Sequence, residues 1–245
     1  MFTYKEFEEL RQKQAERMAA DSNLQQKALD VLVAADHYNW IHQANWFGEP
    51  CLQLPQDMFA LQEIIFRTRP RFIIECGVAW GGSLLFYSTL MQILGGDRVI
   101  GIDIYIPADL RGRLNSFNRI SEAITLIDGS SITDDTIEKV KSIVGDSREV
   151  LVILDSDHTH EHVLKELNAY APLVGKGHYL VCSDTIVEDI PVQTHRPRPW
   201  GPGNNPQTAL NEFLKNNEQF VIDTRLDHKL LLTCNPRGYL IRVKD

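Results

Sequence analysis

Cysteine is scarce: Cys51, Cys76, Cys182 and Cys234 stand far apart among 245 residues, with no C-x-x-C pair. That scarcity argues against a disulfide framework and a thiolate zinc cluster. The four read as reduced and mostly buried, since a free cysteine packs as a small hydrophobe. Positive charge is also short. Lys and Arg number 25 against 33 Asp and Glu, a net charge of −8 that offers no sequence-wide attraction to phosphate backbones or anionic lipids. Nucleic acid is therefore not an expected partner. The N-terminus MFTYKEFEELRQKQAER is charged from its fifth residue and lacks the apolar centre of a signal peptide, so a cytoplasmic chain is expected. There is no internal repeat, and no H-x-D/E pair of the kind that supplies iron ligands in non-haem oxygenases. One absence points the other way. From Cys76 to Gly96, CGVAWGGSLLFYSTLMQILGG, 21 consecutive residues carry no formal charge, a length that raises the question of a membrane span.

What is present is ordinary in bulk: 43% apolar and 24% charged residues, in a length that suits one large domain with additions. Tyr4 to Ala20 and Asn23 to His37 carry charge at helical spacing around a few apolar residues, and they form an expected helical extension over residues 1–70. Between them and a helix over Asp57 to Arg67 lies HYNWIHQANWFGEPCLQLP, whose Trp40, Trp46 and Phe47 either seal the extension against the main domain or face a substrate. Beyond Arg71, five apolar runs (71–75, 98–103, 124–128, 149–155 and 178–184) alternate with stretches long enough for crossover helices. This pattern predicts an α/β, Rossmann-like fold with a mostly parallel sheet covered on both faces, over residues 71–245. Two or three final strands drawn from FVIDT, KLLLT and GYLIRV close an expected seven-stranded sheet, and the short turn Asn235-Pro236-Arg237-Gly238 predicts that the last pair is an antiparallel hairpin. The uncharged run then divides into a turn after the first strand and a buried helix from Ser83 to Leu94. Its five glycines suit a tight turn better than a lipid-facing helix.

Chemistry collects at the strand ends. Glu75, Gly77, Ala79, Gly81, Gly82 and Ser83 form an acid-plus-glycine turn opening a helix, where small residues let a ligand approach the backbone and the helix N-terminus favours an anionic group. The spacing departs from the dinucleotide fingerprint G-x-G-x-x-G. It is similar to the E-x-G-x-x-x-G turn of S-adenosylmethionine-dependent methyltransferases. Asp103 closes the second strand, where one carboxylate can accept both ribose hydroxyls, and Asp128-Gly129-Ser130-Ser131 closes the third, where such enzymes hold the adenine edge. Asp155, Asp157 and His158 follow the fourth strand and Ser183-Asp184-Thr185 the fifth. Neighbouring parallel strands bring such ends together, so Asp155 and Asp184 suit one hard cation such as Mg²⁺. The competing reading makes these acids helix caps. His158, His160 and His162 diverge around a helix, which speaks against zinc. The Pro- and Gly-rich segment Val187 to Pro206, with His195, Arg196, Arg198 and Trp200, is either a lid over a bound acceptor or an arm between subunits.

The stretches IIECGVAWGGSLLFYS, VIGIDI, LDSDHTHEHVLKEL, YLVCSDT, RPWGPGNNP and NPRGYLIR together resemble the cephalosporin hydroxylase family of class I methyltransferases, which includes rhamnosyl O-methyltransferases. The resemblance spans Arg71 to the C-terminus and implies a Rossmann-like methyltransferase acting on a hydroxyl of a sugar or natural product. A more distant similarity, to the magnesium-dependent catechol O-methyltransferases, implies roles for single residues. Glu75 and Gly77, with Ala79 and Gly81 in the same turn, would frame the methionine moiety. Ser83 would meet its carboxylate, Asp103 the ribose, and Asp128, Ser131 and Asp155 would add further cofactor contacts. Asp155, Asp184 and Thr185 would stand at the metal positions. Because Ser183 replaces the acid found there in antibiotic-pathway relatives, Asp157 is the expected compensating ligand. His158 would be the catalytic base beside Asp155, a role that suits an imidazole with an unperturbed pKa of about 6.5. The same reading expects a small-molecule or glycan acceptor, no membrane span and a homo-oligomer. A metal-dependent hydroxylase, a nicotinamide-dependent dehydrogenase and a non-catalytic partner protein on the same scaffold are its rivals.

Overall fold

A computed structural model describes residues 2–245. The chain begins with two helices, α1 (Tyr4–Ala20) and α2 (Ser22–Asp36), each started by a side-chain cap. Thr3 and Glu6 form a reciprocal capping box on α1, and Asp21 caps α2 through the Leu24 N–H. A short hairpin follows, β1 (Ala44–Trp46) and β2 (Glu49–Cys51), joined by Phe47 and Gly48 with φ of 51° and 90°. Two positive φ values make the twisted two-residue turn that suits a hairpin. Sequence patterning did not predict it, because a Phe occupies a position that usually takes Asn or Asp.

The chain then runs α3 (Pro55–Thr68), β3 (Phe72–Cys76), α4 (Gly82–Leu94), β4 (Arg98–Asp103), α5 (Ala108–Asn115), α6 (Arg119–Glu122), β5 (Ile124–Asp128), α7 (Asp134–Val144), β6 (Val150–Leu154), α8 (His160–Tyr170), β7 (Tyr179–Cys182), α9 (Pro206–Asn216), β8 (Phe220–Ile222), α10 (Thr224–Asp227) and β9 (Tyr239–Arg242). The seven strands of its sheet lie in the order β5-β4-β3-β6-β7-β9-β8, with β9 antiparallel to both neighbours and the other pairs parallel. Alternate residues of each strand feed two cores. Phe72, Ile74 and Cys76 pack with Val140, Leu167 and Phe213 from α7, α8 and α9. Ile73, Val99 and Leu151 pack with Ile64, Leu84 and Leu110 from α3, α4 and α5. Both faces are covered, which is why the strands read as unbroken apolar runs.

The uncharged run is accounted for by this layering: Cys76 ends β3, residues 77–81 turn, and α4 lies buried behind them until Gly95 caps it with φ of 89°. Among the described residues no helix is long and apolar enough to cross a membrane. Glu75 pins this helix to the sheet. It is 1% exposed and accepts from Ser83 Oγ at 2.7 Å and from Tyr87 OH at 3.1 Å, and burial pushes its carboxyl up to about 8. The aromatic segment does both things expected of it. Trp46 seals against α4, donating to Thr89 Oγ1 at 3.2 Å and meeting Phe86 edge-on, whereas Trp40 lines a cavity described below.

One strand expectation fails. Lys229 to Thr233 is not extended, so the closing antiparallel pair is β8 with β9, not a hairpin across the Asn235–Gly238 turn. The turn itself forms, with Gly238 N–H on Asn235 O at 2.9 Å. Its approach is fixed from below by Asp57, a 1% exposed acid on α3 that accepts from Cys234 N–H and Tyr239 OH at 2.9 Å each and from the Thr233 hydroxyl. The α10 turn and these polar anchors replace the ladder that a strand would need.

Two outcomes follow from these buried acids. Asp57→Ala strands three donors at a site closed to water, and urea unfolding should show a loss of about 2–4 kcal/mol. The Glu75 carboxyl rises from 4.5 to about 8 on folding, so its contribution to stability is complete below pH 4.5 and is lost as pH rises through about 8. Unfolding measured from pH 5 to 8 should show Glu75→Gln gaining on the wild type as pH rises; a constant gap would refute the assignment.

Candidate active site

Strand register sets the site out in a row. Cys76 lies opposite Ile102 on one side and Leu154 on the other, and Leu154 lies opposite Cys182. The next residues along these strands are therefore Gly77, Asp103, Asp155 and Ser183, with Asp128 paired to Asp103. The row lies at the C-terminal sheet edge, where β4 and β6 flank β3 and the connections diverge. Such a switch point is where open α/β sheets bind ligands. Gly77 is required there, with φ of 96°: a Cβ on it would stand 2.0 Å from the Asp155 carbonyl oxygen. Ala79 has a φ of 47°, an uncommon conformation for a residue with a side chain. Asp103 braces the turn, its Oδ2 accepting from Val78 N–H at 2.9 Å and Ala79 N–H at 3.3 Å. Gly82 packs under the hairpin, where a Cβ would meet Pro50 O at 2.3 Å.

Two expected cofactor contacts are engaged elsewhere. Asp128 pairs with Arg111 at 2.6 Å on the surface. Ser131 is 4% exposed and donates to Glu166 Oε1 at 2.5 Å, in a buried network with His162 and Ser156. Its hydroxyl faces inward because α8 presents a fully buried carboxylate to it.

Asp155, His158 and Asp184 bring one ligand atom each to within 4.8 Å of one another. His158 Nε2 lies 3.2 Å from Asp184 Oδ2, and burial, then the Asp184 carboxylate, push the Asp155 carboxyl upward. Asp184 has a φ of 55° and ψ of 27°, a left-handed conformation that its N–H holds by donating to Asn235 Oδ1 at 2.9 Å. The other expected ligands are absent from this group. Asp157 turns back to accept from Thr159 N–H at 2.8 Å in an Asx turn just ahead of α8, so it is committed to the local backbone instead. Thr185 is 0% exposed and donates to Pro236 O at 2.6 Å, facing away from the acids. His158, expected beside the group as a base, is its third member. The other two histidines diverge as predicted: His160 Nδ1 meets Thr208 Oγ1 at 2.8 Å and its Nε2 faces Glu212, while His162 faces Glu166. Asn235 and Gln53 were not singled out from sequence. Gln53, 7% exposed, bonds to Tyr87 OH at 3.3 Å and to the Asp155 carboxylate. Its one signal is a polar residue inside the apolar run Cys51-Leu52-Gln53-Leu54.

The cluster forms the floor of a cavity of about 420 Å³. Leu32, Val33 and Ile41 form one wall and Ile186, Ile190 and Val192 the other. Ala79, from the glycine turn, reaches its edge, so the cavity and the strand-end row meet. Trp200 stands edge-on to His158, with ring centroids 4.8 Å apart. The arrangement offers a polar floor of acids and an imidazole beneath a largely apolar chamber. It suits a molecule with one reactive polar group and an apolar flank.

Residues 38–243 match the family profile described as Rhamnosyl O-methyltransferase/CmcI. The chain is 30% identical over 224 residues to the rhamnosyl O-methyltransferases of Mycobacterium tuberculosis and Mycobacterium bovis, covering 86% of this chain and 85% of theirs. It is 29% identical over 220 residues to that of Mycobacterium leprae, covering 86% of this chain and 90% of the relative. Among solved structures, apo CmcI has a TM-score of 0.58 at 24% identity, covering 83% of this chain and 78% of CmcI. CmcI with Mg and SAM gives 0.56 at the same identity and coverage. These structural likenesses establish the class I fold, and with the matched profile and the mycobacterial relatives they assign the sequence: the chain belongs to the rhamnosyl O-methyltransferase/CmcI family.

Proposed function

We propose that this protein is an S-adenosylmethionine-dependent O-methyltransferase that acts on a hydroxyl of a sugar or glycosylated natural product, with Mg²⁺ at Asp155 and Asp184 and His158 beside them as the base. The observation that carries the reading is the meeting of the glycine turn, the two-acid cluster and the cavity at one switch point. The residues fit both groups. Two carboxylates, Asp155 and Asp184, converge beside the His158 imidazole, and such a pair of oxygen donors suits a hard divalent cation. The Gly77–Ala79 turn exposes backbone without bulk, and Asp103 and the start of α4 supply an acceptor and a helix N-terminus beside it.

When bound, S-adenosylmethionine supplies the electrophilic methyl and Mg²⁺ makes an acceptor hydroxyl more acidic. This chain's residues do the rest. Glu75, Gly77, Ala79, Gly81, Ser83 and Asp103 are assigned to the methyl donor. The cavity walls orient the acceptor and exclude water, so positioning of two reactants, worth roughly 7–11 kcal/mol, supplies much of the rate. His158, held against Asp184, takes the hydroxyl proton. In the same proposal residues 71–245 form the catalytic domain, residues 1–70 a helical extension that contributes the α2 wall, and the 187–206 segment a lid. A cytoplasmic homo-oligomer is part of the reading, supported by exposed Tyr4, Phe7 and Leu10 on α1.

Calorimetry of S-adenosylhomocysteine should show binding to the wild type and a loss of about tenfold or more, 1.4 kcal/mol, in Asp103→Ala. No binding with or without Mg²⁺ would overturn the cofactor assignment. Titration with Mn²⁺, read as free ion by electron paramagnetic resonance, should give one site in the wild type that weakens strongly in Asp184→Asn. Equal affinity in both proteins would make the acids structural.

A further inference from the structure

The outer wall of the cavity is formed by a segment with very few ties to the rest of the molecule. Its ends are pinned: Glu188 Oε2 accepts from Gly203 N–H at 2.8 Å and from Asn205 Nδ2 at 2.5 Å, and Asp189 pairs with Arg237 at 2.5 Å. Between these pins the situation differs. Among the described residues, every side-chain hydrogen bond or ion pair that residues 190–200 make outside the 187–206 segment ends on Asp36.

Asp36 is the last residue of α2, and its side chain is 10% exposed. Its Oδ2 accepts from Gln193 Nε2 at 2.6 Å and Arg196 Nε at 3.2 Å and lies 2.8 Å from His195 Nε2, and its Oδ1 meets the other arm of the Arg196 guanidinium at 2.5 Å. The neighbouring His37 ring lies against His195, with centroids 4.1 Å apart. An acid is unfavourable at a helix C-terminus, where the exposed carbonyls already concentrate negative charge, and the last turn of α2 holds no basic residue to offset it. Its partners across the cavity supply the compensation. At the far end of the same segment Trp200 meets His158 edge-on, and Arg198 lies over the other part of that plate, 5.4 Å from the Trp200 ring centre.

We propose that Asp36 is a positioning residue of the acceptor site: it folds residues 190–200 onto α2, closes the outer wall of the cavity and sets Trp200 against His158. The inference rests on reading the cavity as the acceptor site. It makes α2 part of the site, since without Asp36 the segment has no polar anchor across the chamber. Acceptor entry and release then require these contacts to break and reform as a unit.

Hydrogen–deuterium exchange of the full chain tests this. Asp36→Ala should speed exchange in peptides spanning 190–200 by about tenfold or more, with β3 and β6 unchanged. Ring-nitrogen NMR signals of His195 and His158 should shift in the same variant while those of His160 and His162 stay in place, a signature that general loosening would not give. Asp36→Glu should restore much of the protection and Asp36→Asn should not, because the Arg196 guanidinium needs a charged partner. Arg196→Met breaks the same contact from the other side and leaves α2 intact; it should reproduce the effect, and its combination with Asp36→Ala should add little. Unchanged exchange in both single variants, or acceleration spread evenly over the sheet, would overturn the proposal. S-adenosylhomocysteine affinity should match the wild type in Asp36→Ala. A wild type that fails to bind it refutes methyl transfer, whereas unchanged exchange refutes the positioning role alone.

Discussion

The site depends on two like charges held together. Asp155 and Asp184 end adjacent parallel strands, and their carboxyls converge with only an imidazole between them. Left alone, such a pair repels, and burial first, then the Asp184 carboxylate, push the Asp155 carboxyl upward. The backbone keeps them facing. Asp184 is locked in a left-handed conformation by Asn235, Asn235 sits in a turn approached by the segment that Asp57 anchors, and Asp57 belongs to α3 on the face of the sheet behind the site. The polar network below the sheet end thus exists to hold an unfavourable arrangement that a cation would relieve.

The second constraint is proximity. With a Cβ at position 77 lying 2.0 Å from a carbonyl oxygen of residue 155, the glycine turn and the acid cluster are as close as two backbones can be. The proposed methyl-donor and acceptor sites, which must touch, lie at neighbouring strand ends. The hairpin β1–β2 completes the frame from above, because Gly82 lets its backbone rest on the start of α4 and Gln53 reaches from its far end to Tyr87 and Asp155.

Much of this was legible in the sequence, for physical reasons. Apolar runs buried on both faces identify parallel strands, and a strand that ends in Asp or Glu reveals which residue reaches the sheet edge; that placed Glu75, Asp103, Asp128, Asp155 and Asp184 without any structure. What the pattern could not reveal is where a side chain at that edge turns. Asp157 is taken by the Thr159 N–H just ahead of α8, a local choice, whereas Thr185 turns to a carbonyl of a segment 51 residues away and Ser131 faces a buried glutamate. The last two choices are made by tertiary partners rather than by neighbours in sequence. Lys229 to Thr233 has strand composition, but β9 takes the place beside β7 and the segment's end is tied to Asp57 through the Thr233 hydroxyl. Gln53 and Asn235 are invisible for the same reason: their roles come from partners remote in the chain.

The cysteines gain a meaning from their addresses. Cys76 and Cys182 immediately precede the strand-end row, and Cys234 lines the cavity. Burial first, then the surrounding acids Asp184, Asp57 and Asp155, push the Cys234 thiol well above its usual range, and burial does the same for the other two. The thiol that reaches the cavity is thereby held in its protonated, weakly nucleophilic form. In the proposed reaction, the same acidic surroundings that suit a cation make this thiol a poor competitor for the methyl group.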